Sequence, residues 1–584
     1  MPWAFHWSKL LFFKQYRQTL LRNTFFLLFL GGLFSSNVLA QSTNMPLNKD
    51  TYHLVDRFEI LSGDMAPDHH SAVKPYTRRA VAQLTDSIQK QNLNLSMQDR
   101  FNLEYLCNDN WEWVDSSTNV SRRPFLKVFY KNKSDFYYGA DKEEAIAIHV
   151  SPVLYLSGGG ETASDEYTYI NTRGVQVRGM IDKKVGFYAF IGENQARFPA
   201  YVRDFVNEKT VVPNEGFWKH FGTDGYDFFT ATGYISFNVT KHINFQFGHD
   251  RQFIGDGHRS MLMSDFSPPA LFLKINTQVW KLNYTNLFTQ VYADAYGQSG
   301  GSVSNTNFPK KYLVAHRLGV NIGKHVNVGV YEAVVFGRED SLGNNHFELS
   351  YLNPIIFYRA LEQQNGSLDN ALIGLDAKWN FLRHFSMYGQ LILDEFKLDE
   401  ITAGNGWWAN KFGYQVGLKY INAFGINNLD FQAEYNSARP YTYTHSTIYS
   451  NYANYRQAVA HPLGANFKET IGIVRYQPIP RLNLTAKLIY STYGLDTLNS
   501  NWGKDILKDY NTREQEYDNK IGQGVASALQ FVDITATYQF KHNVFVDFKL
   551  ISRKQTSDEP LFENESVIYS LAFRWNIAQR LQEF

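Results

Sequence analysis

The sequence predicts an all-β membrane protein: an antiparallel transmembrane β-barrel of about 18 strands, with a small N-terminal periplasmic helical region. Three observations predict it. Successive segments alternate apolar and polar side chains over lengths that suit a tilted strand crossing a bilayer. The joints between those segments alternate between short and long. Phe, Trp and Tyr make up 16% of the chain, with 37 Tyr and 45 Phe, enough to furnish two interfacial girdles.

The N-terminus reads as an export signal. Lys9, Lys14, Arg17 and Arg22 precede an apolar run from Phe25 to Phe34, and Val38-Leu39-Ala40 offers a small-residue cleavage site with Gln41 as the first mature residue. The other reading of this run is a membrane anchor, for which it is short. No Cys stands at the cleavage point, which argues against a lipid anchor. The expected division is 1–40 signal peptide, 41–135 periplasmic helical region and 136–584 barrel. The expected location is the outer membrane of a Gram-negative cell, with lipid and the barrel-assembly machinery as partners during biogenesis.

In the helical region, Pro75 precedes Ala80, Val81, Leu84 and Ile88, a spacing that places one apolar stripe on a helix. Ser96 with Asp99 forms a capping-box pattern before a second helix, whose buried side would carry Phe101, Tyr105 and Leu106. Cys107 is the only cysteine, so the exported chain has no internal disulfide.

Strand candidates run from residue 145 to the end. Phe412, Tyr414, Val416, Leu418 and Tyr420 alternate with Gly413, Gln415, Gly417 and Lys419. Leu429, Phe431, Ala433 and Tyr435 alternate with Asp430, Gln432, Glu434 and Asn436. The last segment, Val567 to Ile577, is apolar at every odd position and carries Ser570, Arg574 and Asn576 at even ones. Soluble sandwiches alternate too. The joints separate the two cases. Those near Asp182, Lys241, Val279, Gly323, Arg383, Gly425, Pro478 and His542 are short, and those between them are long, as in barrels with tight periplasmic turns and external loops.

Charge excludes some functions. With 57 basic and 56 acidic residues the net charge is +1, so no global field attracts nucleic acid. The inward faces carry both signs (Lys419, Asp430, Glu434, Lys487, Asp547, Lys549 and Arg574), which suits paired charges across a filled lumen better than an open selective pore. No G-x-S-x-G elbow and no H-E-x-x-H motif is present, and nothing in the chain calls for a cofactor.

Three segments carry candidate sites. In Phe247-to-Ser260, the residues His249, Asp250, Asp256 and His258 include metal-ligand types, but their spacing matches no closed metal site. Read structurally, Arg251 and Arg259 pair with carboxylates and pin this Gly-rich loop inside the barrel, with His249, Asp250, Asp256, His258, Lys419, Asp430, Glu434 and Arg574 in the same network. Read functionally, the two arginines hold the carboxylate of an acidic sugar. Trp407-Trp408 is either a sugar-stacking pair or part of the outer girdle. The loop 439–467 contains Tyr441, Tyr443, Tyr449, Tyr452 and Tyr455, a composition suited to binding a glycan or to packing on itself.

The chain resembles the Wzi-type capsule assembly family, including relatives described as gliding motility protein RemB. The resemblance rests on Lys74-Pro75-Tyr76-Thr77-Arg78-Arg79 ahead of the barrel, on Gly248-His249-Asp250 through Gly255-Asp256-Gly257-His258-Arg259-Ser260 to Met263-Ser264, and on Asn353-Pro354-Ile355-Ile356-Phe357-Tyr358-Arg359. It implies an eighteen-stranded outer-membrane barrel with a periplasmic helical bundle, a lectin-like role holding capsular polysaccharide at the cell surface, and no enzymatic activity. A surface role in gliding or adhesion is the alternative expectation, and a diffusion channel the third.

Overall fold

The protein is described by a computed structural model covering residues 41–65, 70–91, 93–115, 117–141, 143–294, 308–337, 347–354, 358 and 369–584. The expected signal peptide, and Ile355 to Phe357 and Arg359 of the third motif, lie outside the described residues.

Eighteen strands of the described residues close into an antiparallel barrel. In chain order they are β1 (Ile146–Glu161), β2 (Ser164–Ile181), β3 (Val185–Arg197), β4 (Gly225–Asn238), β5 (Ile243–Asp250), β6 (Ala270–Val279), β7 (Leu282–Tyr292), β8 (Lys310–Ile322) and β9 (Val326–Phe336). The second half comprises β10 (Asn370–Phe381), β11 (Phe385–Glu395), β12 (Lys411–Tyr420), β13 (Leu429–Ala438), β14 (Phe467–Ile479), β15 (Leu482–Leu495), β16 (Val525–Lys541), β17 (Val544–Ser557) and β18 (Asn564–Trp575). Each strand pairs with its chain neighbours, and β18 returns to β1 with Ile568 opposite Glu161 and Trp575 opposite Leu154. Closure satisfies every strand's ladder and leaves no edge, which is what a hydrocarbon surround demands.

The period of two sorts the side chains. On β18, Tyr569 and Leu571 are exposed while Ile568, Ala572 and Arg574 are buried. On β17, Phe548 is 53% exposed and its neighbour Asp547 only 3%. Apolar exposure on this scale around a whole wall is the mark of a lipid-facing surface. Among the described residues no helix is long and apolar enough to cross a membrane.

The first hairpin is tight. The run Ser157 to Gly160, whose glycines read in the sequence as a flexible loop, is part of β1, and β2 begins at Ser164. The glycines belong to the strand because a Cβ at Gly159 would lie 1.9 Å from the Tyr569 carbonyl oxygen. Glycine permits this close approach of two backbones.

Among the described residues three helices precede the barrel: α1 (Lys49–Ser62), α2 (Arg78–Lys90) and α3 (Met97–Asp109). Thr77 caps α2, with Pro75 two residues upstream, and Ser96 with Asp99 closes a reciprocal capping box on α3. Tyr52, Val55, Phe58, Val81, Leu84, Ile88, Leu103, Leu106 and Cys107 form their shared core. The opposite side of α1 is charged and faces the barrel wall. Asp56 meets Lys419 of β12 at 2.6 Å, Glu59 meets Lys378 of β10, and Arg57 joins Asp430 of β13 to Asp99 of α3. These helices close the short-turn end: Asp64 pairs with Lys324, Gln98 donates to the Pro478 carbonyl, and Tyr105 donates to Asn543. The sequence placed this region ahead of the barrel. In the structure it is seated across the mouth of the barrel, because its charged face complements lumenal charges distant in sequence.

Candidate functional site

The lumen is filled from three further directions. The segment between β5 and β6 turns inward. Its start pairs with the N-terminal region, Val73 opposite Ile254 and Lys74 opposite Phe253, and the Gly255 N–H donates to the Ala72 carbonyl at 2.7 Å. The Glu434 carboxylate then accepts the backbone N–H groups of His258 and Arg259, at 2.6 and 3.0 Å. Gly257 sits between these groups. A Cβ there would come within 2.6 Å of Glu434 Oε2 and 2.7 Å of Gln415 Oε1, so the turn needs glycine. Beyond it, Met261 and Leu262 are fully buried. The wall makes room for them with inward glycines: a Cβ on Gly413 would meet Met261 Cε at 2.7 Å, and one on Gly374 would meet Leu262 Cδ2 at 2.5 Å.

The second direction is the long loop 439–466. Tyr443 and Tyr452 donate to the carbonyls of Met261 and Leu262, at 2.7 and 2.8 Å, and the Ser264 N–H donates to the Val459 carbonyl at 2.8 Å. The third is the C-terminal tail. Glu583 lies 2.7 Å from His258 Nε2 and also pairs with Lys487. Arg580 meets Glu215 at 2.6 Å, and the Phe584 ring lies 4.7 Å from that of Phe205 and 5.9 Å from that of Phe266. Sequence reasoning missed this tail because strand periodicity ends at Ile577 and nothing in the last seven residues marks a lumenal partner. Between the plug and the wall remains a cavity of about 350 Å³ whose lining includes Lys49, Asp250, Arg251, Arg475, Arg580 and Glu583.

The four potential metal-ligand side chains occupy four different surroundings. His249 is exposed on the outer face of β5, its Nδ1 3.0 Å from the Ala231 carbonyl. That corrects its assignment to the lumen: it shares strand parity with exposed Phe247, so its ring points outward. Asp250 lines the cavity. Asp256 accepts from Ser71 at 2.6 Å and lies 3.6 Å from Lys378. His258 contacts Glu583. Arg251 lies 3.4 Å from Glu215, and Arg259 is shared between Glu469 and Glu583 at 3.5 and 3.8 Å. Both arginines therefore already hold protein carboxylates. Arg574 pairs with Asp547 on the neighbouring strand, donates to the Ile577 carbonyl of the C-terminal tail at 3.2 Å and lies 4.0 Å from Asp50 of α1.

The helical plug has its own charge balance. Burial alone would raise the Asp56 carboxyl, but Lys419, Lys378 and Lys74 together hold it well below the usual carboxylate range. Burial, followed by the nearby Arg317 charge, pushes His70 down to about 4. Burial also lowers Lys74 to about 8, against the opposing pull of Asp256 and Asp56.

The long-loop end presents a different surface. After β11 comes a short helix, α5 (Leu398–Ala403), α4 (Ala200–Lys209) being the one inside the 198–224 loop. The turn at Asn405-Gly406 is zipped to the loop from β15 to β16: the Trp408 N–H donates to the Glu516 carbonyl at 2.9 Å, and the Asn519 N–H to the Gly406 carbonyl at 2.9 Å. Gly406 has φ +68°, and a Cβ there would lie 2.7 Å from the Asn519 nitrogen. The half-buried Trp408 ring lies under the Arg513 guanidinium at 4.2 Å and beside Tyr510 at 4.9 Å. Trp407 lies 6.3 Å from Trp408, and Lys397 Nζ is 5.8 Å from its ring centre. The pair belongs to this cap of loops and to no strand face.

The tyrosines of the 439–467 loop divide into two groups. Tyr441, Tyr443 and Tyr452 are at most 1% exposed, so they are not available to a surface ligand, which corrects their place among the candidates. Their hydroxyls are committed to backbone carbonyls or, for Tyr452, also to Tyr331. Tyr449 and Tyr455 are half-buried, with Tyr455 tilted 4.5 Å from Tyr292.

Comparison with known proteins accords with this architecture. The family described as capsule assembly protein Wzi matches residues 158–570. Among solved structures the chain is similar to Wzi of Escherichia coli, described as an outer membrane protein involved in group 1 capsule assembly and a carbohydrate binding β-barrel. The TM-score is 0.55 at 13% identity, covering 92% of this chain and 100% of that one. Pseudomonas aeruginosa OprD gives 0.40 at 11% identity over 75% and 96% of the two chains. Acinetobacter baumannii OccAB2 gives 0.40 at 7% over 74% and 98%. No curated protein matches the chain.

Proposed function

We propose, from the premise that this chain belongs to the capsule assembly protein Wzi family, that it is a non-enzymatic outer-membrane barrel that retains surface polysaccharide on its cap of external loops. The short-turn end, with the helices, faces the periplasm in this reading. The observation that carries the proposal is the division between a filled lumen and an aromatic, cationic cap. A lumen occupied by Met261, Leu262, Phe266, Tyr443 and Tyr452 as one apolar cluster does not suit free diffusion of solutes, so the channel reading ranks below binding. At the other end, Trp407, Trp408, Tyr510 and Arg513 offer flat rings beside a cation. Rings of this kind stack on the C–H faces of sugars and leave polar edges free for hydrogen bonds.

Cells lacking the protein should shed polymer into the medium while synthesis continues. Unchanged retention at the surface in such cells would remove the proposal. Purified barrel from the same cells should bind their polysaccharide.

A further inference from the structure

Between α3 and β1 lies a short ribbon whose tip stands outside both the plug and the loop cap. Its backbone doubles back, with Val120 bridging Asn132 and Phe125 bridging Phe129, and it continues into the strand Tyr137–Asp141, which pairs with the start of β1. Its tip is apolar and open: Val120, Phe125, Leu126 and Val128 are 75%, 59%, 69% and 46% exposed. Leu126 and Lys127 both stand in the left-handed region, at φ 49° and 61°. Glycine or asparagine would hold such a turn at lower cost. Interleaved with the apolar side chains are Arg122, Arg123, Lys127 and Lys131, all exposed and without an ion pair among the described residues. Among the described residues the ribbon's one exposed ion pair is Lys133 with Glu104 of α3 at 3.2 Å.

The position of the ribbon says what it faces. Trp575 ends β18 at the short-turn rim and has the outward parity of Tyr569 and Leu571. Tyr130 stacks on Trp575 with centroids 6.5 Å apart and accepts its indole N–H at 2.8 Å, and Phe136 meets the same indole edge-on at 6.3 Å. Tyr137, 40% exposed, lies opposite Val150 in the ladder and so continues the outer face of the wall. The ribbon is thus fastened to the lipid side of the rim. Four unpaired cations around an apolar tip at a membrane boundary match the chemistry of anionic phospholipid: acyl chains accept the apolar side chains and headgroups accept the charge.

We propose that residues 120–133 form an anionic-phospholipid-binding foot at the short-turn rim. The inference rests on the membrane-barrel reading but not on polysaccharide binding. It is tested with the full chain carrying Cys107→Ala and Leu126→Cys, labelled at position 126 with an environment-sensitive dye and reconstituted in phosphatidylcholine vesicles with or without phosphatidylglycerol. Bromine-bearing acyl chains serve as quenchers. Quenching should be about threefold stronger with phosphatidylglycerol. It should collapse when salt rises from about 0.1 to 1 M, as the screening length falls from about 10 to 3 Å, and also when Arg122, Arg123, Lys127 and Lys131 are all changed to Gln. A label at Leu498→Cys, on the opposite loop end, should stay in water throughout. A watery environment at 126 in both vesicles, equal quenching with and without phosphatidylglycerol, or a protein-concentration-dependent blue shift in detergent, which marks a second copy as the occupant, would each overturn the proposal. The four-Gln variant should bind polysaccharide normally, and Trp407→Ala/Trp408→Ala should leave the lipid signal intact, so the two readings fail separately.

Discussion

Glu434 Oε2 accepts the backbone N–H of His258 at 2.6 Å, and one carboxylate from the wall thereby fixes the turn that starts the lumenal plug. Tyr388 donates to the same oxygen at 2.8 Å. Buried donors held this way are costly to abandon, at about 1–3 kcal/mol for each unsatisfied group.

Glu434→Ala should loosen the inward segment. The His258 and Arg259 N–H groups lose their acceptor, and Tyr388 loses one as well. Planar-bilayer recordings of the variant should show current steps that the parent barrel lacks. A variant as silent as the parent would mean that the plug does not depend on this carboxylate.

Gly257→Ala should act at the same turn by a different route. The added methyl has no space between Glu434 and Gln415, and overpacking of this kind costs about 1–3 kcal/mol. Limited proteolysis of the folded barrel should become faster within residues 251–266. Equal cleavage rates would contradict the geometry.

Lys378 is shared by Glu59, by Asp256 at 3.6 Å and by Asp56 at 3.8 Å. Lys378→Met leaves three buried carboxylates short of a cation, whereas Glu59→Gln removes one acceptor and leaves the others paired. The lysine change should therefore be the more damaging to thermal stability in detergent, by roughly 3–5 kcal/mol for a broken buried pair. The reverse order would show that the charges act independently.

Acid should release the helical plug. Folded His70 stays neutral down to about pH 4, while an undocked histidine takes up a proton near 6.5. The released state therefore binds more protons in that window, and docking weakens as pH falls through it. Asp56, depressed by Lys419 and its neighbours, contributes stability above about pH 4, the undocked carboxylate value, and loses it as pH falls further. Protease access to α1 should rise on going from pH 7 to 5 and again toward 3. Access independent of pH would oppose this assignment.

Trp408→Ala removes the ring beneath Arg513 and beside Tyr510. Loss of one stacked ring is worth on the order of 1 kcal/mol, about fivefold in affinity. Polysaccharide binding to intact cells should fall by that factor with barrel assembly unchanged. If binding holds, the loop cap's contact with polymer lies elsewhere.

The wall was legible in the sequence because a strand in a barrel answers to two solvents at once. Each of the eighteen strands announces itself through a period of two, as in Phe548 against Asp547, and the alternation of tight and long joints sets the direction of each crossing. Local rules also reached the Ser96–Asp99 cap and the stripe on α2. Parity decided His249 once the register of β5 was known. The candidate sites were less legible. Tyr443 and Trp408 are both aromatic residues near polar neighbours, yet one is sealed against Met261 and the other is half-exposed at the cap.

By itself the sequence determined the barrel, its strand count and the sorting of its faces, because alternation is written between neighbours along the chain. Only the tertiary structure decided how the barrel is filled. Glu434 finds His258 across 176 residues, Lys378 finds Glu59 across 319, and Glu583 finds His258 across 325. Such pairings arise from closure of the ring, which brings distant inward side chains into one enclosed space of low dielectric, where an unpaired charge is costly and each must meet its complement.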